Sequence, residues 1–155
     1  MFNIRVYGLL VDDNRILVTD EFRLGMPMTK FPGGGLEHGE GTIECMLREW
    51  QEETGFRIRV TRHYYTTDFF QPSWFLPGNN QLISIYYLVE AIADFHIEIA
   101  SRKFDFSGME EGAQIFRWLE IHHLDAEEFT LPVDRVVAGM LKEDFSKGHL
   151  TLKSG

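Results

Sequence analysis

The sequence predicts a single mixed α/β domain, with its helices packed on a mostly β core. Three observations predict it. Stretches rich in β-branched and aromatic residues recur at 2–11, 15–22, 57–68, 82–93 and 114–120. Two segments, one following Gly41 and one starting near Pro132, carry apolar residues at helical spacing. No internal repeat or linker interrupts the 155 residues, a length that suits one domain. The domain is expected over 1–145, with a polar tail at 146–155.

The first two strands are joined by Asp12-Asp13-Asn14, which reads as a hairpin turn. A third short strand ends near Phe31, where Pro32-Gly33-Gly34-Gly35 breaks regular structure. The first helix follows, with Thr42 as its expected N-cap and Gly55 where a left-handed residue would end it. Ile43, Met46, Leu47 and Trp50 fall at i, i+3, i+4 and i+7, one apolar stripe to pack on a sheet. At about 100° per residue, Glu49 and Glu53 lie on one flank of that stripe and Glu52 lies further towards solvent. Arg48 stands four residues from both Glu44 and Glu52 and is expected to bridge them. Between the strands at 57–68 and 82–93 runs an aromatic loop, Phe69 to Asn80, with two prolines. The second helix is expected to present Val133, Val136, Val137, Met140 and Leu141 to the core.

A formal net charge of −9 argues against nonspecific nucleic-acid binding, which rests on Lys and Arg neutralising phosphates. A nucleotide ligand stays open, because a bound divalent metal reverses the local field. Cys45 is the single cysteine, so no intrachain disulfide forms. The N-terminal stretch lacks the pattern of a signal peptide, and no apolar run approaches the roughly 20 residues that span a bilayer. A soluble cytoplasmic protein with no membrane partner is expected.

The chemistry concentrates between Gly34 and Phe56. Like charges at i,i+4, as in Glu49 and Glu53, weaken a helix unless a cation or a reaction uses them. Glycines at 33–35 let the backbone approach a ligand, and a helix N-terminus beyond them offers free N–H groups to a pyrophosphate. Carboxylates supply hard oxygen ligands of the kind that suit Mg²⁺ or Mn²⁺. Without such a context, three glutamates on a helix are a solvated face. The aromatic loop has three readings of its own: Phe69, Phe70, Trp74 and Phe75 stack on a substrate base, with Phe70 and Trp74 the substrate-binding candidates, or they cover an exposed edge of the sheet, or the loop forms a homodimer contact.

Gly34, five residues, Glu40, seven residues, then Arg48-Glu49-Trp50-Gln51-Glu52-Glu53-Thr54-Gly55-Phe56 resembles the Nudix box at its fixed positions, a match over 23 of 155 residues. Trp50 departs from it, standing where the family more often has an aliphatic residue. The resemblance implies an α/β/α sandwich with a mixed central β-sheet. It also implies metal-dependent hydrolysis of a nucleoside diphosphate linked to another group X. By position it makes Glu49, Glu52 and Glu53 the metal-binding and water-activating carboxylates, with the Gly33 carbonyl a further ligand. Arg48 and Glu40 would position them, and Gly34 and Gly35 would meet the substrate. In some members the general base is a glutamate of a later loop; here Glu110 and Glu111 are the candidates, Glu111 preferred. A catalytically silent sensing domain on the same fold is the alternative, and a non-hydrolytic offshoot such as an isomerase is weaker.

Overall fold

The computed structural model describes residues 1–94 and 96–150, so residues 151–155 of the expected tail lie outside the described residues. Among the described residues, seven strands and two α-helices form in the order β1 (Phe2–Asp12), β2 (Arg15–Arg23), β3 (Met26–Lys30), β4 (Gly33–Gly35), α1 (Thr42–Thr54), β5 (Ile58–Thr66), β6 (Gln81–Ala91), β7 (Gln114–Glu120) and α2 (Pro132–Ser146). The α/β class is the one expected, and every expected strand and helix is present. The chain divides into two compact units, one of 1–10 and 32–96, the other of 11–31 and 97–150.

In the first unit β1 runs parallel to β6, from Phe2 opposite Gln81 to Leu10 opposite Val89. β4 lies antiparallel to β1, with Gly35 opposite Arg5 and Gly34 opposite Val6. β5 closes on β6 in antiparallel register, with irregularities between Val60 and Arg62 and between His63 and Tyr65. Helix α1 packs against β4 and β5. Its N-cap is Gly41 rather than Thr42, whose hydroxyl bonds the Tyr87 hydroxyl at 2.6 Å instead. Gly55 ends the helix in the left-handed conformation, its N–H donating to the Gln51 carbonyl.

The expected apolar stripe is only half right. Met46 and Trp50 are fully buried, but Ile43 and Leu47 are 47% and 41% exposed, and Cys45 takes a buried place. The helix is turned about its axis because a strand made of glycines lets the Glu49 flank approach it. Trp50 also fits for a local reason. A Cβ at Gly8 would lie 2.5 Å from the indole Nε1, so the missing side chain in β1 makes room for the larger ring. Phe56 packs edge-on to that indole at 5.7 Å.

The second unit is antiparallel. Val11 pairs with Ile16 across a two-residue turn in which Asp13 takes φ 60°, and β2 pairs with β3 on one side and β7 on the other. Its core is fixed by a buried ion pair. Arg117 donates to Asp20 from Nε at 2.6 Å and from Nη2 at 3.0 Å, while the Thr29 hydroxyl and the Phe104 N–H complete the carboxylate. Helix α2 buries Val133, Val137 and Leu141 as expected, with Asp134 and Ala138, while Val136 is exposed. Among the described residues, no helix is long and apolar enough to cross a membrane.

Candidate active site

The sequence from Gly33 to Glu53 folds so that a glycine strand and the acidic flank of α1 meet. Gly33 has φ 153°, and a Cβ there would stand 2.1 Å from the Val6 carbonyl oxygen, so only glycine fits. Gly34 has a different reason. A Cβ there would fall 2.3 Å from Cδ of Glu49 and 2.4 and 2.5 Å from its two oxygens. The Glu49 carboxylate therefore lies on bare backbone, in a space that any other residue would fill.

Arg48 organises the acidic residues, but not through Glu44. It grips Glu40 with two bonds, Nε to Oε2 at 3.0 Å and Nη2 to Oε1 at 2.7 Å. Nη2 also donates to the Gly35 carbonyl at 3.1 Å, which ties the helix to β4. Nη1 reaches Glu49 at 3.0 Å, Glu52 at 3.4 Å and Glu37 at 3.7 Å. The hydrogen bonds from Arg48 hold the Glu40 carboxyl down at about 2, against an ordinary 4.5, and the same pairing raises the Arg48 guanidinium still further above its usual range. Burial pushes the Cys45 thiol up to about 12, so it stays protonated against the Gly35 carbonyl.

The three box carboxylates differ in setting. Glu49 is 16% exposed, Glu53 is half-buried, and Glu52 is 60% exposed with Arg48 beside it. Among the described residues no three His, Cys, Asp or Glu side chains are gathered closely enough to hold a metal ion together. The cation standing among Glu37, Glu40, Glu49 and Glu52 is Arg48 itself. In donor chemistry the set still fits a hard divalent ion: carboxylate oxygens on one helix flank, beside a backbone cleared of side chains.

Phe70 is 67% and Trp74 43% exposed on the loop before β6. That loop is held at its base, with the Ser73 N–H donating to the Asn80 carbonyl and the Leu82 N–H to that of Gln71. Glu111 belongs to the second unit, where its carboxylate accepts from the N–H groups of Leu24 at 2.6 Å and Gly25 at 3.2 Å. Both of those residues have positive φ, 56° and 72°, so Glu111 secures a mirror-image turn between β2 and β3. Glu110 and Glu111 also line a hollow of about 400 Å³ with Ser107, Gly108, Gly112 and Ala113.

Sequence reasoning missed Arg5. It is 6% exposed in β1, donates from Nε to the Tyr7 hydroxyl at 2.7 Å, and has its Cζ 3.8 Å from the centre of the Phe75 ring. The signal available was an arginine inside an otherwise apolar strand pattern.

The family model described as NUDIX domain matches residues 1–138. No curated protein matches the chain. Among solved structures, a NUDIX hydrolase from Nitrosomonas europaea is 20% identical with a TM-score of 0.67, covering 96% of this chain and 91% of that one. A MutT NUDIX hydrolase from Burkholderia pseudomallei is 15% identical with a TM-score of 0.67, covering 90% and 97%. An ADP-ribose pyrophosphatase from Streptococcus suis is 14% identical with a TM-score of 0.60, covering 94% and 92%. These likenesses show that the chain takes the NUDIX fold. The match over residues 1–138 places the chain in the NUDIX hydrolase family, whose members act on nucleoside diphosphate derivatives and generally use divalent metal ions.

Proposed function

We propose that this NUDIX chain is a divalent-metal-dependent pyrophosphohydrolase that splits a nucleoside diphosphate joined to another group X. The observation that carries the reading is the Glu49 carboxylate laid on the bare backbone of Gly34, with Arg48 holding Glu49 and Glu52 together. Glu49, Glu52 and Glu53 would hold Mg²⁺ or Mn²⁺, with the Gly33 carbonyl as a further oxygen. When bound, the ion supplies a Lewis acid that neutralises phosphoryl oxygens and lowers the pKa of a water.

The other parts follow from the chain itself. Gly34 and Gly35 let the phosphates approach backbone, and the N–H groups opening α1 favour their charge. Arg48, locked to Glu40 and the Gly35 carbonyl, keeps helix and strand in register. Phe70 and Trp74 offer aromatic faces to the part of the substrate beyond the diphosphate. For the proton of the attacking water, Glu52 is favoured as the most exposed of the three helix carboxylates. Glu111 is the competing acceptor, and its two backbone donors at the β2–β3 turn favour a turn-holding role for it.

The test is hydrolysis of a panel of nucleoside diphosphate derivatives with Mg²⁺ and with Mn²⁺. Glu52→Gln and Glu53→Gln should each lower turnover by orders of magnitude with the fold intact. A wild-type protein that binds members of the panel and splits none of them would support the sensing domain instead.

A further inference from the structure

Strand β4 presents different chemistry on its two faces. On one, Gly34 meets the Glu49 carboxylate. On the other, Gly35 stands opposite Arg5 in the β1 pairing, and the position of its absent Cβ is 3.8 Å from Arg5 Nη1, the one atom within 4 Å among the described residues apart from Gly35 and its two chain neighbours. Gly35 is itself half-exposed, so this space opens to solvent while the arginine beside it is 6% exposed. The Phe75 ring covers the guanidinium face and the Tyr7 hydroxyl takes the Nε proton, which fixes the plane of the fork. Asn3 Nδ2 donates to Ser73 Oγ at 2.7 Å, so the loop carrying Phe75 is pinned to the same strand. A guanidinium whose plane is held and whose face is dry is well placed to receive an anionic oxygen at its edge.

We infer that Arg5 is a substrate-binding residue that takes an anionic oxygen of the substrate into the space beside Gly35, and that Phe75 sets its geometry. This rests on the pyrophosphohydrolase reading for the identity of the ligand. Phe75 is a positioning residue here, acting through Arg5. The oxygen comes from the diphosphate or from the remainder of the substrate, and two probes separate these sources.

The experiment measures Kd by calorimetry, with Mg²⁺ present, for ADP-ribose and for inorganic pyrophosphate, and measures kcat and KM for ADP-ribose. The variants are Arg5→Gln, Arg5→Lys, Gly35→Ala and Phe75→Leu. Arg5→Gln is the decisive one, since Gly35 also stands against the phosphates in the proposed function; Gly35→Ala, whose Cβ would meet Arg5 at an ordinary contact distance, supports it. Arg5→Gln and Gly35→Ala should each weaken ADP-ribose binding about 10- to 100-fold, the loss of one or two charge-assisted hydrogen bonds. KM should rise and kcat stay within threefold, with partial rescue in Arg5→Lys and a smaller KM effect in Phe75→Leu. An equal loss for pyrophosphate assigns the oxygen to the diphosphate; a loss confined to ADP-ribose assigns it to the rest of the molecule. Unchanged Kd for both probes in Arg5→Gln and Gly35→Ala overturns the inference, as does a wild-type protein that binds neither probe. Binding that follows this pattern without turnover keeps the inference and sinks only the hydrolase reading.

Discussion

Gly34→Ala tests how closely the site depends on the bare strand. A Cβ at that position would stand 2.3–2.5 Å from three atoms of the Glu49 carboxyl group, where ordinary contacts begin near 3.4 Å. The carboxylate must therefore retreat by about 1 Å, the scale at which misplacement costs on the order of 10²-fold in rate. The fold should survive, because the colliding atoms are the far end of one flexible side chain. We expect kcat for an accepted nucleoside diphosphate derivative to fall about 100-fold. The Mg²⁺ concentration for half-maximal rate should rise, and Tm should move by no more than about 2–4 °C. Steady-state assays across a Mg²⁺ titration, beside a thermal melt, give all three. Wild-type kcat and Mg²⁺ dependence in the alanine variant would refute the idea that Glu49 works from that position. Full unfolding would show that the strand, and not the carboxylate, needs the glycine.

Glu40→Gln should change the acid response. With its pKa depressed from 4.5 to about 2, Glu40 contributes stability that is complete above about pH 4.5 and is lost as pH falls towards about 2. Thermal melts between pH 6 and pH 2 should show a shallower loss in that window for the variant, and an identical slope would remove the assignment. Asp20→Ala leaves Arg117 buried beside Thr29 without its carboxylate, and urea unfolding should register a loss of about 3–5 kcal/mol. Glu111→Gln should keep kcat within threefold of wild type in the same steady-state assay, whereas a thousandfold loss would give the proton transfer to Glu111 and not to Glu52.

Most of the elements were legible because each carries a local signal. Asp12-Asp13-Asn14 marks a hairpin, Gly55 ends α1 in the left-handed region, and Pro132 opens α2. The box spacing made Glu49, Arg48 and Glu40 neighbours, and they are. What local periodicity could not say is which way α1 turns. Ile43 and Leu47 belong to the apolar stripe by spacing, yet the packing of Trp50 against Gly8 and of Glu49 against Gly34 sets the rotation, and both contacts are long-range. Arg48 has two glutamates at i±4; it reaches Glu52 as the spacing suggests, but in place of Glu44 it grips Glu40, eight residues back in the loop, because the turn after β4 brings that carboxylate over the helix. The stacking of Phe75 on Arg5 joins residues 70 positions apart and was not visible from either one.

The most direct measurement of the central claim is phosphorus NMR of ADP-ribose and related nucleoside diphosphate derivatives incubated with the protein, with Mg²⁺ and then with the metal chelated. A metal-dependent pyrophosphohydrolase gives loss of the diphosphate signals and growth of two phosphomonoester signals in the presence of metal only, and none above background with Glu53→Gln. Intact diphosphate across the panel in the presence of Mg²⁺ and Mn²⁺, or cleavage unaffected by chelation or by Glu53→Gln, would contradict it.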